Sequence, residues 1–219
     1  MPQSLTDVHV SISGPIAAAM HNDRQLGHSH VMASLPPGLG TSPRSAAGVL
    51  WHIDPRTQHL TVRYPSVPAG VTNLGVVTSL ASVDIAERMR IALSINCQKT
   101  PPARLPQHLH DAIKAEGKAY RSRMVIVPKS DRPDWIARRL SRIGFEIEQE
   151  SLTISKLYSA QLGPRRRGRI PAVDVTATGT VVDAEAFGEA LAGGIGKGKN
   201  FGLGLIRTST ALTSQGAQP

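Results

Sequence analysis

Apolar and polar residues alternate strictly at two separated places in this chain. Val8, Val10 and Ile12 share one side of a segment whose other side carries Asp7, His9 and Ser11. Met89, Ile91, Leu93 and Ile95 do the same against Arg88, Arg90 and Ser94. A period of two sends successive side chains to opposite faces of an extended strand, so each segment predicts a strand with one face in a core. Helix and further strand signals follow each one. In the first half, Asn22-Asp23 offers a helix N-cap, and His28, Val31, Met32 and Leu35 follow at i, i+3, i+4 and i+7 until Pro36-Pro37-Gly38 stops the helix. Residues 49–53 and 59–64 read as a strand pair around Asp54-Pro55-Arg56, with a fourth strand over 76–85.

The second half repeats the order. Residues 104–118 read as loop with some helix, and 121–127 as a strand with Met124 and Ile126 on one side. Ser130-Asp131 before Pro133 opens a helix striped by Ile136, Leu140 and Ile143, which Gly144 ends. Residues 145–159 and 172–182 read as strands. Asp183 caps a helix bearing Phe187, Ala190 and Leu191 that stops at Gly193-Gly194. A last strand is expected over 201–206 and a frayed polar tail from Thr208. Strand, helix, strand, strand, then further helix and strand, occurring twice, predicts an α+β chain of two tandem ferredoxin-like (RRM-like) domains. The expected boundaries are 1–87 and 88–208, with a tail over 209–219. The second helix of the first half has no visible signal.

Charge narrows the function. Lys and Arg number 25 against 16 Asp and Glu, a formal charge of +9, which points to a polyanionic partner such as nucleic acid. Cys97 is the only cysteine, so neither an intrachain disulfide nor a multi-cysteine zinc site is available, and no metal or other cofactor is expected. Ala17-Ala18-Ala19 imitates a signal cleavage site, but Asp7, His9 and Gly14 interrupt the apolar stretch and no Lys or Arg precedes Arg24. With no apolar run long enough to span a bilayer, the expectation is a soluble, cytoplasmic protein without a membrane partner. Aromatic residues make up 4%, too few for base stacking on a sheet to dominate RNA binding.

Gly193-Gly194-Ile195-Gly196-Lys197-Gly198-Lys199-Asn200-Phe201-Gly202-Leu203-Gly204 is the sharpest local motif. Glycines permit close backbone approach and positive φ, and Lys197 and Lys199 add charge suited to phosphate. A P-loop or dinucleotide fold needs a strand before the glycines and a helix after them; the order here is reversed. A helix end and a tight turn would use one or two of these glycines, which leaves Gly194, Gly196, Gly198, Gly202 and Gly204 more than a turn requires.

This helix followed by Gly-Ile-Gly-Lys-Gly-Lys-Asn-Phe-Gly-Leu-Gly-Leu-Ile resembles the glycine-rich loop of the CRISPR-associated repeat-processing nucleases, in the form similar to that of the CasE family of type I-E systems. Residues 23–37, with His28 eight positions before Pro36, resemble the family's first helix. Residues 90–100, ending Asn96-Cys97-Gln98-Lys99-Thr100, resemble the strand that opens its second domain. The resemblance implies a Cascade subunit that binds the stem-loop of CRISPR repeat RNA and cleaves it without metal by 2′-hydroxyl attack, giving mature crRNA. It implies a catalytic role for His28. On its own residues, His28 lies on the stripe of Val31, Met32 and Leu35 and reads as a structural histidine; only the resemblance turns the reading to catalysis. CasE proteins usually carry a tyrosine three residues before that histidine. Gln25 stands there, and an amide is neither a general acid nor a base. A subunit that holds the hairpin with little or no cleavage is therefore the alternative, and an unrelated basic ferredoxin-like RNA-binding protein a third.

Arg165, Arg166, Arg167 and Arg169 fall between two expected strands with no acid among them, and are expected to follow the phosphates of an RNA stem rather than form an idle solvated loop. Arg121, Arg123 and Lys99 are further expected phosphate contacts. Arg138, Arg139 and Arg142 read equally as RNA contacts or as the wet face of an ordinary helix.

Overall fold

The first strand, β1 (Thr6–Ser11), buries Val8 completely, as its alternation requires. It belongs to a computed structural model that describes residues 5–36, 43–65, 75–80, 82–101, 106–117, 123–163 and 168–210. Two helices follow. α1 (Gly14–Asn22) has no counterpart in the sequence reading: it sinks only Ala17 and Met20 into the core, too few apolar positions for a visible stripe. α2 (Arg24–Ala33) starts at the expected cap. The Asp23 amide N–H closes α1 onto the Ala19 carbonyl, while its carboxylate accepts the Gln25 N–H at 3.0 Å and opens α2. The four-residue helix α3 (Pro43–Ala46) leads to β2 (Leu50–Asp54), β3 (His59–Tyr64) and β4 (Val76–Ser79).

These strands form one antiparallel sheet in the order β2-β3-β1-β4, with Val8 opposite Val62 on one side and Val77 on the other. Trp51, Ile53, Val62 and Tyr64 meet Met20 and Val31 in its core. The expected fourth strand is shorter than 76–85.

The second sheet starts from β5 (Arg88–Asn96), whose Met89, Ile91, Leu93 and Ile95 are all buried. β6 (Gln98–Lys99) follows, then α4 (Gln107–Ala115) and β7 (Val125–Ile126), which pairs with β6 as a separate ribbon. Of the strand expected over 121–127, only these two residues of β7 are strand among the described ones, and Met124 and Ile126 are exposed rather than core-facing. α5 (Arg132–Ser141) buries Trp135, Ile136 and Leu140.

The next expected strand, 145–159, is three: β8 (Phe145–Ile147), β9 (Thr153–Ile154) and β10 (Tyr158–Leu162). A 3-10 turn over Gln149–Ser151 breaks the run. There the Ser151 hydroxyl is bonded to the carbonyls of Glu148 and Thr178, which turns the chain while keeping it on its neighbour. All three pieces pair with the long β11 (Gly168–Val181).

Asp183 caps α6 (Ala184–Gly193) by accepting the Ala186 N–H at 3.0 Å, as expected. The final strand is displaced, however. Residues 201–206 alternate but are not strand, because Gly202 and Gly204 hold φ of 69° and 82°, incompatible with extended backbone. The strand is instead β12 (Arg207–Thr210), part of what was read as tail, and it pairs with β5.

The second order is β10-β11-β5-β12, which repeats the order of the first sheet when the broken β8–β9–β10 edge is counted as one strand. The expectation of two tandem ferredoxin-like domains is borne out. Residues 66–74, between β3 and β4, lie outside the described residues.

Arg63 fastens the two sheets together. It is fully buried, forms a two-pronged ion pair with Asp7 at 2.7 and 2.8 Å, and donates to the carbonyls of Leu191 and Ile206 from the second domain.

Candidate nucleic-acid interface and active site

Trp51 organises the junction where the glycine-rich segment meets α2. Its ring is wholly buried, and its indole N–H donates to the Asn200 carbonyl at 3.1 Å. Gly27 of α2 and Gly202 of the loop both lie against this ring, and a Cβ at either position would overlap it. Glycine at these two positions lets the helix and the loop close on one indole. The result is a 3-10 turn, Lys199–Phe201, laid against α2.

On that turn the Phe201 ring stands 6.0 Å from His28, tilted by 55°. His28 is half-exposed. Its Nδ1 is buried and has no hydrogen-bond partner among the described residues. His28 therefore leaves the stripe of its helix: Val31 is buried in the core, whereas His28 turns to the loop from the other domain.

Cations gather on the same turn. Lys199 is half-buried, and its ammonium is held below the usual lysine range by burial and by the nearby Arg44 charge. Arg44 donates from Nε to the Asn200 side-chain oxygen and from Nη1 to the Val49 carbonyl at 2.8 Å. Lys197 is exposed, and its ammonium lies 3.4 Å from the Met124 sulfur. The Arg139 guanidinium stacks on Trp135, 4.4 Å from the ring centroid, and lies 3.6 Å from where a Cβ at Gly196 would stand.

The remaining expected contacts spread outward. Arg123 is exposed beside Met124. Lys99 is on β6, where Asp131 takes its charge at 3.2 Å. Arg169 is exposed at the start of β11. The β10–β11 ladder runs out to Leu162 opposite Gly168. Arg165, Arg166 and Arg167, like Arg121, lie outside the described residues. Asp23 links this ladder to the histidine helix, since the carboxylate that caps α2 also accepts the Gly163 N–H at 2.9 Å.

A second polar cluster crosses the junction behind α2. Arg24 is completely buried. Its Nη2 lies 3.2 Å from His21 Nδ1 and 3.5 Å from the Tyr158 hydroxyl, while Nε and Nη1 have no partner among the described residues. The Tyr158 hydroxyl donates to Asp174 at 3.0 Å, burial pushes its pKa up to about 12, and Ser94 donates to the same carboxylate oxygen. His52 sits 3.5 Å from Ser94, buried and held well below the ordinary histidine range, first by desolvation and then by Arg207, Arg24 and His21. Gln25, by contrast, is half-exposed on the first turn of α2.

Among the described residues, no group of three or more His, Cys, Asp or Glu stands close enough to hold a metal ion, and no helix is long and apolar enough to cross a membrane. The sequence did not point to Trp51, Arg44, Arg24 or Tyr158. Each acts through a contact between residues far apart in the chain, which no local period encodes.

Two ferredoxin-like domains joined through a glycine-rich, lysine-bearing turn define a class of tandem proteins with a basic inter-domain site. Residues 5–208 match the family described as CRISPR associated protein, and the chain belongs to that family. The resemblance to the CasE family read from the sequence is borne out. The structure of the CRISPR endoribonuclease Cse3 bound to 19 nt RNA aligns with a TM-score of 0.72 and 16% identity, over 95% of this chain and 100% of that one. Thermus thermophilus Cse3, bound to an RNA representing a pre-cleavage complex, aligns at 0.65 and 20%, over 94% and 98%. Cas6e from Escherichia coli str. K-12 aligns at 0.60 and 18%, over 95% and 100%. At these identities the likeness shows a shared fold. No curated protein matches the chain.

Proposed function

We propose that this chain is a CRISPR repeat endoribonuclease that binds the stem-loop of precursor RNA, cuts at its base to release mature crRNA, and works in the cytoplasm beside other Cascade subunits. The observation that carries the reading is the turn Lys199–Phe201 of the second domain lying against His28 of the first, with the Phe201 ring 6.0 Å from the imidazole. Family membership and the fold shared with RNA-bound Cse3 support it.

In the reaction, the ribose 2′-oxygen attacks the adjacent phosphorus and the bond from phosphorus to the 5′-oxygen breaks. The products are a 2′,3′-cyclic phosphate and a 5′-hydroxyl. One proton leaves the 2′-hydroxyl and one arrives on the departing oxygen. His28 carries one of these transfers on its imidazole, with water carrying the other. Lys197, Lys199 and loop amides offset the charge that builds on phosphorus-bound oxygens. Arg165, Arg166, Arg167, Arg169, Arg121, Arg123 and Lys99 hold the stem through its phosphates, Lys99 only by giving up Asp131.

Gln25 favours one second reading, a subunit that holds the hairpin without cutting. Incubation with end-labelled repeat hairpin in EDTA separates the two. Cleavage that persists in EDTA, leaves a cyclic phosphate end and stops on 2′-deoxy substitution at the scissile ribose is the expected result. Tight binding with no cut selects the second reading, and cleavage abolished by EDTA but restored by magnesium contradicts the mechanism.

A further inference from the structure

Arg44 and Lys199 come from different domains, 155 positions apart in the chain, yet the Arg44 charge helps to hold the Lys199 ammonium below its usual range. Both are partly buried, and burial lowers both pKa values. The ion pairs among the described residues involve neither. Two like charges half-removed from water destabilise the junction unless a third group compensates them.

The Arg44 guanidinium is nevertheless fixed. Nε is spent on the Asn200 side chain and Nη1 on the Val49 carbonyl, so its remaining N–H groups form a rigid edge. Asn200 belongs to the same turn as Lys199 and Phe201, so one 3-10 turn joins this edge to the His28 ring. An orientation held at such cost suits an anion that arrives from outside with more than one oxygen.

We infer that Arg44 and Lys199 form a two-domain clamp for the scissile phosphate of the RNA, with Asn200 positioning the guanidinium. This rests on the nuclease reading above and adds to it a residue from outside the glycine-rich loop. The clamp neutralises the phosphate in the ground state, and its rigid edge meets the extra charge of the five-coordinate transition state. It also gives Gln25 a physical context: strong charge stabilisation lowers the demand on a second proton carrier beside His28.

The test uses the full chain with a cleavable hairpin in EDTA, and with the 2′-deoxy hairpin for binding over a range of salt. Arg44→Met and Lys199→Met are each expected to slow single-turnover cleavage about 10²–10³-fold, the usual effect of losing one charge-stabilising donor. Each is also expected to reduce the log–log salt slope of binding by about 0.7–0.9, the effect of leaving one phosphate without its cation. Arg44→Met removes two hydrogen bonds and endangers the fold. Lys199→Met removes none that the described residues show, so it tests the clamp if the first variant does not fold. If the wild type cuts and Lys199→Met matches it in rate and slope, the clamp is wrong while the nuclease reading stands. If the wild type binds without cutting, the nuclease reading fails, and the slope alone decides: a fall in both variants keeps the clamp as a phosphate contact, and an unchanged slope removes it.

Discussion

A guanidinium with 1% of its surface exposed is tolerable only when its donors are engaged, and Arg63 meets that demand by reaching across the domains. Two of its bonds go to Asp7 on the neighbouring strand. The others satisfy the orphan carbonyls of Leu191, in the last turn of α6, and of Ile206, just before β12. Replacement by methionine keeps the volume but strands a buried carboxylate and two carbonyls. Arg63→Met is expected to cost about 3–5 kcal/mol, the usual penalty for breaking one side of a buried pair. Urea denaturation measures it, and a destabilisation below about 1 kcal/mol would mean that the junction does not depend on this residue. Arg24 is the opposite case, buried with two nitrogens unpartnered among the described residues, and its sequence neighbours gave no sign of either property.

At the scale of elements, what could be read depended on whether the cause was local. The caps at Asp23 and Asp183 were legible because each acts on an amide two or three residues away. Alternation identified β1 and β5 because one face of each is buried. The same pattern misled at 201–206, where the glycines take left-handed φ, and at 145–159, where a serine hydroxyl bonded to a distant strand breaks the run. The glycine-rich segment was visible as a motif, but its seat on Trp51 was not, since that contact spans about 150 residues of chain. The basic segment between β10 and β11 carries its own prediction. Alanine at Arg165, Arg166, Arg167 and Arg169 together is expected to lower the salt slope of hairpin binding by about 0.7–0.9 for each phosphate that the arginines neutralise. A wild-type slope in filter-binding or anisotropy titrations would return these arginines to a solvated loop.

For the whole molecule, the two sheets share one strand order, and that duplication is why the fold could be anticipated from patterns in both halves. Their junction also makes stability depend on pH. His52 is neutral in the folded state because burial and the nearby Arg207, Arg24 and His21 disfavour its charge; in the unfolded chain it titrates near 6.5. Below that pH the unfolded state binds the extra proton and the folded state does not, so stability falls as pH drops below 6.5 toward the depressed folded value. The loss is at most about 1.4 kcal/mol per pH unit from this residue, and His21, lowered mainly by burial, acts in the same direction. Urea midpoints at pH 7.5 and 5.5 are expected to differ, and His52→Asn to narrow the difference; an equal difference in the variant would place the pH dependence elsewhere. The proposed role of His28 as proton carrier in RNA cleavage is tested by comparing His28→Ala with the wild type under single turnover on a repeat hairpin in EDTA. The expected rate is lower by roughly two to four orders of magnitude with hairpin affinity nearly unchanged; a variant that cuts as fast as the wild type would rule that role out.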